Sequence, residues 1–192
     1  MPLIKNAALA DDPWVAVADD EPIPLEAQPI VTLDRWKAER ETLLGRNAPL
    51  GIRLRSDQPP SEIAEDLGHF DLVALEFPKF TDGRAYSYAR LLRERHGFEG
   101  ELRAVGNVLR DQLLFMARCG FDAFELPEGA PVETWLRALE DFSVWYQPTA
   151  DGHPTAWQLR RALAGNGAGP RGEAAGAPSH KWTLKTKAGA GE

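Results

Sequence analysis

The chain has 192 residues, of which 43% are hydrophobic and 27% charged, and its formal net charge is −7 at neutral pH. This length and composition are typical of a globular protein with one sizeable core. The acidic balance argues against a nucleic-acid-binding protein, which needs a basic surface to displace counterions. The apolar runs are all too short to span a membrane.

The amino-terminal part of the chain is acidic. Residues 1–28 contain one lysine and six carboxylates. We interpret them as an acidic arm, either a solvated tail or a strip that docks on a partner. Residues 14–32 also look like extended segments that wrap onto the core. Residues 1–5 lack the apolar core of a signal peptide, so we expect a cytoplasmic protein.

From residue 29 to residue 164 the chain alternates between strand and helix patterns. Predicted strands begin near Ile30, Gly51, Leu72, Leu102 and Ala123. Predicted helices cover residues 33–44, 61–67, 85–96, 107–119 and 132–142, and a strand at 142–147 and a helix at 155–164 follow them. This alternation predicts a single α/β domain with a mostly parallel sheet of five to six βα units, as an open sheet or a partial barrel.

The end of the chain has a different composition. Residues 165–192 are rich in glycine, alanine and proline and poor in large apolar residues. Such a segment cannot bury enough apolar surface to offset the entropy of ordering it, so it is predicted to be a disordered tail.

The loop at residues 79–84 is the leading candidate for a functional site. It joins the strand that begins near Leu72 to the next helix, in an interval of 30 residues where the other strand-to-strand intervals have 21. In parallel α/β folds, ligands bind outside the carboxyl ends of the strands. A cationic loop that leads into a helix also favours an anion, because the first amide groups of a helix are unpaired donors.

The residues that could carry chemistry lie on this loop and at neighbouring strand ends. They are Glu76, Lys79, Asp82, Arg84, Arg103, Asn107, Arg110, Asp111 and Glu125. We assign anion binding to Lys79, Arg84 and Arg110, and catalytic proton transfer to Glu76 and Glu125. Asp82, Asn107 and Asp111 would support them. The alternative is a salt-bridged surface, with Asp82 capping one helix and Asp111 complementing the dipole of another.

No cofactor or metal is predicted. The sequence has no glycine-rich dinucleotide or P-loop motif, no zinc-protease motif and no nucleophile elbow. Cys119 is the only cysteine, which excludes an internal disulfide and a cluster held by four thiolates. The four histidines, at positions 69, 96, 153 and 180, are too scattered to suggest a ligand set.

Three segments resemble an uncharacterised bacterial family, domain of unknown function 934. They are EFPKFTDGRAYSYARLLR at 76–93, GELRAVGNVLRDQL at 100–113 and RCGFDAFEL at 118–126. The resemblance extends over about residues 30–147 and leaves out the glycine-rich tail. The family supplies no established catalytic residues that could be transferred to this chain.

The resemblance implies a role in sulfur metabolism. Members of that family are typically encoded beside assimilatory sulfite reductase and the reductase of activated sulfate, and they are described on that ground as oxidoreductases of sulfite reduction. The implied function is an accessory protein that acts with sulfite reductase components, its 79–84 loop binding a small oxyanion or a partner. Two alternatives stay open: an enzyme acting on a sulfur oxyanion through Glu76 and Glu125, and a non-catalytic scaffold.

Overall fold

The computed structural model describes residues 1–24, 26–46 and 48–163. In this part the chain forms eight strands and five α-helices. In chain order they are β1 (Leu3–Lys5), β2 (Ala8–Ala10), β3 (Trp14–Ala16), β4 (Gln28–Thr32), α1 (Leu33–Leu44), β5 (Gly51–Leu54), β6 (Leu72–Phe77), α2 (Arg84–Arg90), β7 (Glu101–Gly106), α3 (Leu113–Arg118), β8 (Ala123–Glu125), α4 (Val132–Ala138) and α5 (Ala156–Leu163).

All eight strands belong to one sheet, in the order β2-β1-β8-β7-β6-β5-β4-β3. The six strands from β3 to β8 are parallel, and each pairs with the next one in the chain. Strand β1 is antiparallel to both β2 and β8. The α/β class and the mostly parallel sheet are thus confirmed, but there are eight strands rather than five or six, because the first 16 residues contribute three.

The sheet is curled, with its helices on the convex face. Trp36 of α1, Ala89 of α2 and Met116 of α3 belong to one buried cluster with Ile52 of β5 and Leu102 of β7. Parallel strands in sequential order with helices on one face curl toward a barrel. The edge strands β2 and β3 are joined by only three residues, whereas a flat sheet of eight strands would hold its edges about 34 Å apart. The architecture is therefore a curled open sheet.

The concave face of the sheet has a much smaller apolar cluster. Ile30, Leu72, Ala74 and Val105 form it, and Trp14 packs against it from β3. The Trp14 ring lies over Gly51, where an added Cβ would come within 3.3 Å of the ring. The remaining concave positions toward the carboxyl ends of the strands are largely charged, and the candidate site lies there.

Residues 1–28, interpreted above as an acidic arm, take part in this sheet and are fastened to it. Besides the three strands, polar contacts hold the segment that follows β3. The Arg35 guanidinium donates to the carbonyl oxygens of Ala18 and Glu21 at 2.6 and 2.8 Å, and the Thr32 hydroxyl bonds to the Asp19 carboxylate at 2.6 Å. The chain therefore runs along the sheet from its first strand onward.

One predicted helix is replaced by tight turns. The connection from β5 to β6 forms 3₁₀ turns at Pro60–Glu62 and Leu67–His69 instead of a helix over 61–67. Ile63 leaves the helical backbone region, with φ −122° and ψ 7°, and its side chain is buried in the core. The need to bury Ile63, Leu67 and Phe70 within eight residues has overridden the helix pattern.

The strand predicted over 142–147 is also wrong. This segment makes a single bridge, between Trp145 and Thr155. Its docking depends instead on Arg118 of α3, whose guanidinium lies 3.8 Å from the centre of the Trp145 ring and bonds to Asp151 at 2.9 Å. A strand needs a free sheet edge, and this segment lies against a helix, so its aromatic pattern reflects stacking rather than pairing.

The chain then ends, as far as the structure describes it, in α5. This helix begins one residue after the start of the helix predicted over 155–164, and residue 164 lies outside the described residues. The tail predicted over 165–192 lies outside the described residues. No helix of the described part is long and apolar enough to cross a bilayer.

A buried arginine fixes the amino-terminal ends of β7 and β8. Arg93 donates to the carbonyl oxygens of Phe98, Gly100 and Gly120 at 2.5, 2.8 and 3.0 Å, and to the Asp122 carboxylate at 3.0 Å. Gly120 has φ +108°, and a Cβ there would lie 2.6 Å from Cγ of Arg93. Glycine is therefore required at position 120, where the backbone passes close to the Arg93 side chain.

Candidate functional site

The two carboxylates proposed for proton transfer lie on the same face of the sheet. In the sheet register Glu76 of β6 is level with Val105 of β7, and the register of β8 against β7 places Glu125 at that same level. Because side chains alternate along a strand, all three occupy the concave face. Glu76 and Glu125 are two strand spacings apart, so their Cα atoms are separated by about 10 Å.

Arg103 is the centre of a buried ionic network on this face. Its guanidinium contacts Asp12 at 2.7 and 2.9 Å, Glu101 at 2.7 Å and Glu125 at 3.4 Å. Lys5 forms a further ion pair with Glu101 at 2.6 Å. Burial disfavours the charged guanidinium, but the Asp12 and Glu101 contacts outweigh it and raise the pKa of Arg103. The network joins β1, β7, β8 and the β2–β3 connection.

Arg53 is the second arginine on the concave face, and it is much less enclosed. In the sheet register it is level with Ala74 of β6, which in turn is level with Arg103. Its guanidinium pairs with Glu76 at 3.2 Å, and the two side chains are 40% and 25% exposed. Nε of Arg53 is shielded from solvent and has no hydrogen-bond partner among the described residues.

The base of the 79–84 loop is held by an ion pair. Arg84 bonds to Asp82 through Nε at 3.0 Å and Nη2 at 2.6 Å, and Nη2 also donates to the Ser56 hydroxyl at 3.0 Å. The Asp82 carboxylate accepts the backbone N–H of Arg84 as well, at 3.3 Å. The hydrogen bonds from Arg84 hold the pKa of Asp82 well below its usual range. Arg84 thus fastens the loop to the neighbouring connection after β5.

The tip of the same loop projects into solvent. Lys79, Phe80 and Thr81 are all exposed, and the Phe80 side chain is 61% accessible. No ion pair to the Lys79 ammonium occurs within residues 1–24, 26–46 and 48–163. The tip therefore presents an unpaired cation beside an exposed aromatic ring.

The remaining candidates lie after β7. The backbone N–H of Asn107 bonds to the Phe77 carbonyl at 2.7 Å, which keeps the loops after β6 and β7 adjacent. Arg110 is exposed and donates to the Thr134 carbonyl of α4 at 3.3 Å. Asp111 is also exposed. Its side chain makes no ion pair with another described residue.

The structure brings together some of these residues and separates others. Glu76 and Glu125 share a face and a level, and Arg103 reaches Glu125. Arg84 turns toward the β5 side of the sheet and Arg110 toward the β8 side, so their contacts lie on opposite sides of β6 and β7. A shared anion site built from Lys79, Arg84 and Arg110 stays a prediction.

The sequence reasoning missed Arg53, Glu101 and Asp12. Arg53 and Glu101 lie in short strands in which charged and apolar residues alternate. These strands read Gly51-Ile52-Arg53-Leu54 and Glu101-Leu102-Arg103-Ala104. This alternation of charged and apolar residues indicates a strand with one polar face, and it was the signal available. Nothing in the sequence connected Asp12 with Arg103, which is 91 residues away.

The described residues offer neither a metal site nor a reactive thiol. No three histidine, cysteine, aspartate or glutamate side chains of the described ranges are placed to hold a metal ion. Cys119 is half-buried, and burial raises the pKa of its thiol, which keeps it mostly protonated at neutral pH.

Fold and site together define a curled, mostly parallel α/β sheet with charged residues on its concave face. A comparison with protein families matches residues 51–157 to a family described as bacterial protein of unknown function, DUF934. The match covers more than half of the chain, and the protein belongs to this family. A comparison with curated proteins finds no significant match.

Proposed function

We propose that the protein is an accessory factor of assimilatory sulfate and sulfite reduction that acts by contact with sulfite reductase components. The observation that carries this proposal is the exposed tip of the 79–84 loop, with Phe80 and with Lys79, which forms no ion pair with a described residue. The link to sulfite reduction rests on the family, whose members are typically encoded beside assimilatory sulfite reductase.

The exposed tip is suited to contact with an acidic protein surface. An exposed aromatic ring supplies apolar contact area at a protein interface, and an adjacent cation selects an acidic partner surface. Because Arg84 is held by Asp82 and Ser56, the base of the loop is ordered before binding. The backbone of the loop therefore loses less conformational entropy on contact than that of a loop with an unrestrained base. The same cation would also attract a free sulfite or sulfate ion.

A test of this function combines growth and co-purification. Deleting the gene should prevent growth on sulfate and on sulfite while growth on sulfide or cysteine survives. Reintroduced Lys79→Glu should restore growth poorly and should lose sulfite reductase components during purification at low salt, because surface charge contacts are screened as salt rises. Arg137→Glu is the matched control, since Arg137 is an exposed cation on α4. Normal co-purification of Lys79→Glu would refute contact through this loop.

The placement of Glu76 and Glu125 favours a second candidate, an enzyme of the same pathway. Both carboxylates are partly exposed on one concave face, each beside an arginine. For this candidate, Glu76→Gln or Glu125→Gln should abolish growth on sulfate while the protein stays folded, because proton transfer contributes roughly 10²–10⁴ in rate. If all these variants grow like the wild type, the scaffold alternative is left.

A further inference from the structure

The concave face has an accessible charged part beside its buried network. Arg103 is fully buried and contacts three carboxylates, so it is occupied in holding the fold. Arg53 lies at the same level two strands away, is 40% exposed, and pairs only with Glu76 among the described residues. The two arginines therefore have different roles, and only Arg53 can be reached by a solute.

The space around Arg53 is bounded by small or apolar side chains. Its neighbours in the register are Thr32 of β4 and Ala74 of β6, and Val105 stands beside Glu76. The side chain of Glu125, beyond Val105, is 22% exposed, and its one ion pair with a described residue is a long contact of 3.4 Å with Arg103. This arrangement gives an apolar floor with a guanidinium on one side and two carboxylates on the other.

The balance of charge selects the chemistry of a ligand. The accessible groups Arg53, Glu76 and Glu125 carry one positive and two negative charges, and only Glu125 also contacts the buried Arg103. A simple anion would therefore meet carboxylates, and a simple cation would meet Arg53. A molecule with both charges gains both contacts as charge-assisted hydrogen bonds. The Arg53–Glu76 pair is itself partly exposed, and such a pair opens at little cost because water solvates both charges.

We propose that this face binds a small zwitterion of the α-amino acid class, with its carboxylate on Arg53 and its ammonium on Glu76 and Glu125. The ligand would lie at the carboxyl ends of β5 to β8, where parallel α/β folds bind their ligands. This site is separate from the exposed 79–84 tip and does not depend on the function proposed above.

The experiment titrates the full chain by calorimetry with each of the twenty common L-amino acids. At least one should bind, and its analogues without the amino group or without the carboxyl group should bind at least about tenfold more weakly, since each charge-assisted contact contributes about 1.5–3 kcal/mol. Arg53→Gln should weaken binding by a similar factor, and Arg137→Ala, which removes an exposed cation of α4, should leave it unchanged.

Circular dichroism of Arg53→Gln checks that the variant is folded, and Glu76→Gln supplies a second variant that should lose affinity by the same factor. Absence of heat with all twenty amino acids would overturn the proposal. So would equal binding by the analogues, or unchanged binding in both variants.

Discussion

Two arginines at one level of the same sheet show how neighbours decide what a residue does. Arg53 and Arg103 flank Ala74 in the register. The β2–β3 connection brings Asp12 onto Arg103 and leaves Arg53 open, so one side chain is fully buried and the other is 40% exposed. A buried ion pair contributes mainly through the penalty for breaking it, and an exposed pair contributes little.

Replacing each arginine by methionine should separate these two cases. Arg103→Met leaves Asp12 and Glu125 without their cation, and we expect it to lower the free energy of unfolding by about 3–5 kcal/mol. Arg53→Met is the matched control and should change it by about 1 kcal/mol or less. Urea unfolding at pH 7 measures both, and equal losses would contradict the assignment of Arg103 as structural.

At the scale of elements, the sequence predicted what has a strong local pattern. The starts of β5, β6 and β8 and the bounds of α1 agree with the structure, because apolar strand cores alternate with amphipathic helices there. Strands β1 to β3 have three residues each and lie in an acidic segment, so no periodicity marks them.

The candidate site was predictable to a similar degree. Glu76 and Glu125 could be placed at strand ends from the sequence, and their common level follows from the register alone. Arg53 was not among the candidates, because these were sought on the 79–84 loop and at the strand ends near it. The partner of Arg103 could not be predicted, because the Asp12 contact exists only once the sheet has curled.

The junction of α3 and β8 allows a prediction about backbone geometry. Gly120→Ala places a Cβ against Arg93, whose hydrogen bonds prevent it from moving, and at φ +108° alanine is also strained. We expect a loss of about 3 kcal/mol in the free energy of unfolding. Gly129→Ala has positive φ but open space around it, so it should cost only about 1 kcal/mol. Thermal unfolding of the two variants measures both losses of stability. Equal losses would show that the contact with Arg93 does not add to the backbone strain at position 120.

At the scale of the whole molecule, the sheet is held in its curled form by its amino-terminal strands. Strands β2 and β3 form its two edges, and the three residues between them contain Asp12, which pairs with Arg103 from the concave side. Together with the ion pair between Lys5 and Glu101, this contact connects the first part of the chain with β7. The Arg103 contacts outweigh burial and lower the pKa of Asp12, so the pair persists at neutral pH.

Asp12→Ala should therefore loosen the edge of the sheet without unfolding the molecule. Hydrogen exchange at the amides of β3 should become at least about tenfold faster, because a charged hydrogen bond contributes about 1.5–3 kcal/mol. Exchange in β6, in the middle of the sheet, should change much less. Asp11→Ala is the control, since Asp11 is exposed and forms no ion pair with a described residue. Similar exchange in both variants would show that Asp12 does not hold the edge.

The position of β1 in the sheet also has a consequence for synthesis. Leu3 of β1 pairs with Glu125 of β8, so the first strand of the sheet to be synthesised pairs with the last one. Strands β4 to β8 can join in the order of translation, since each pairs with its predecessor. The contact between β1 and β8 closes a very long loop and is therefore expected to form late. Until it forms, β8 presents a bare edge to other chains, and the strands that are made first are the last to be incorporated.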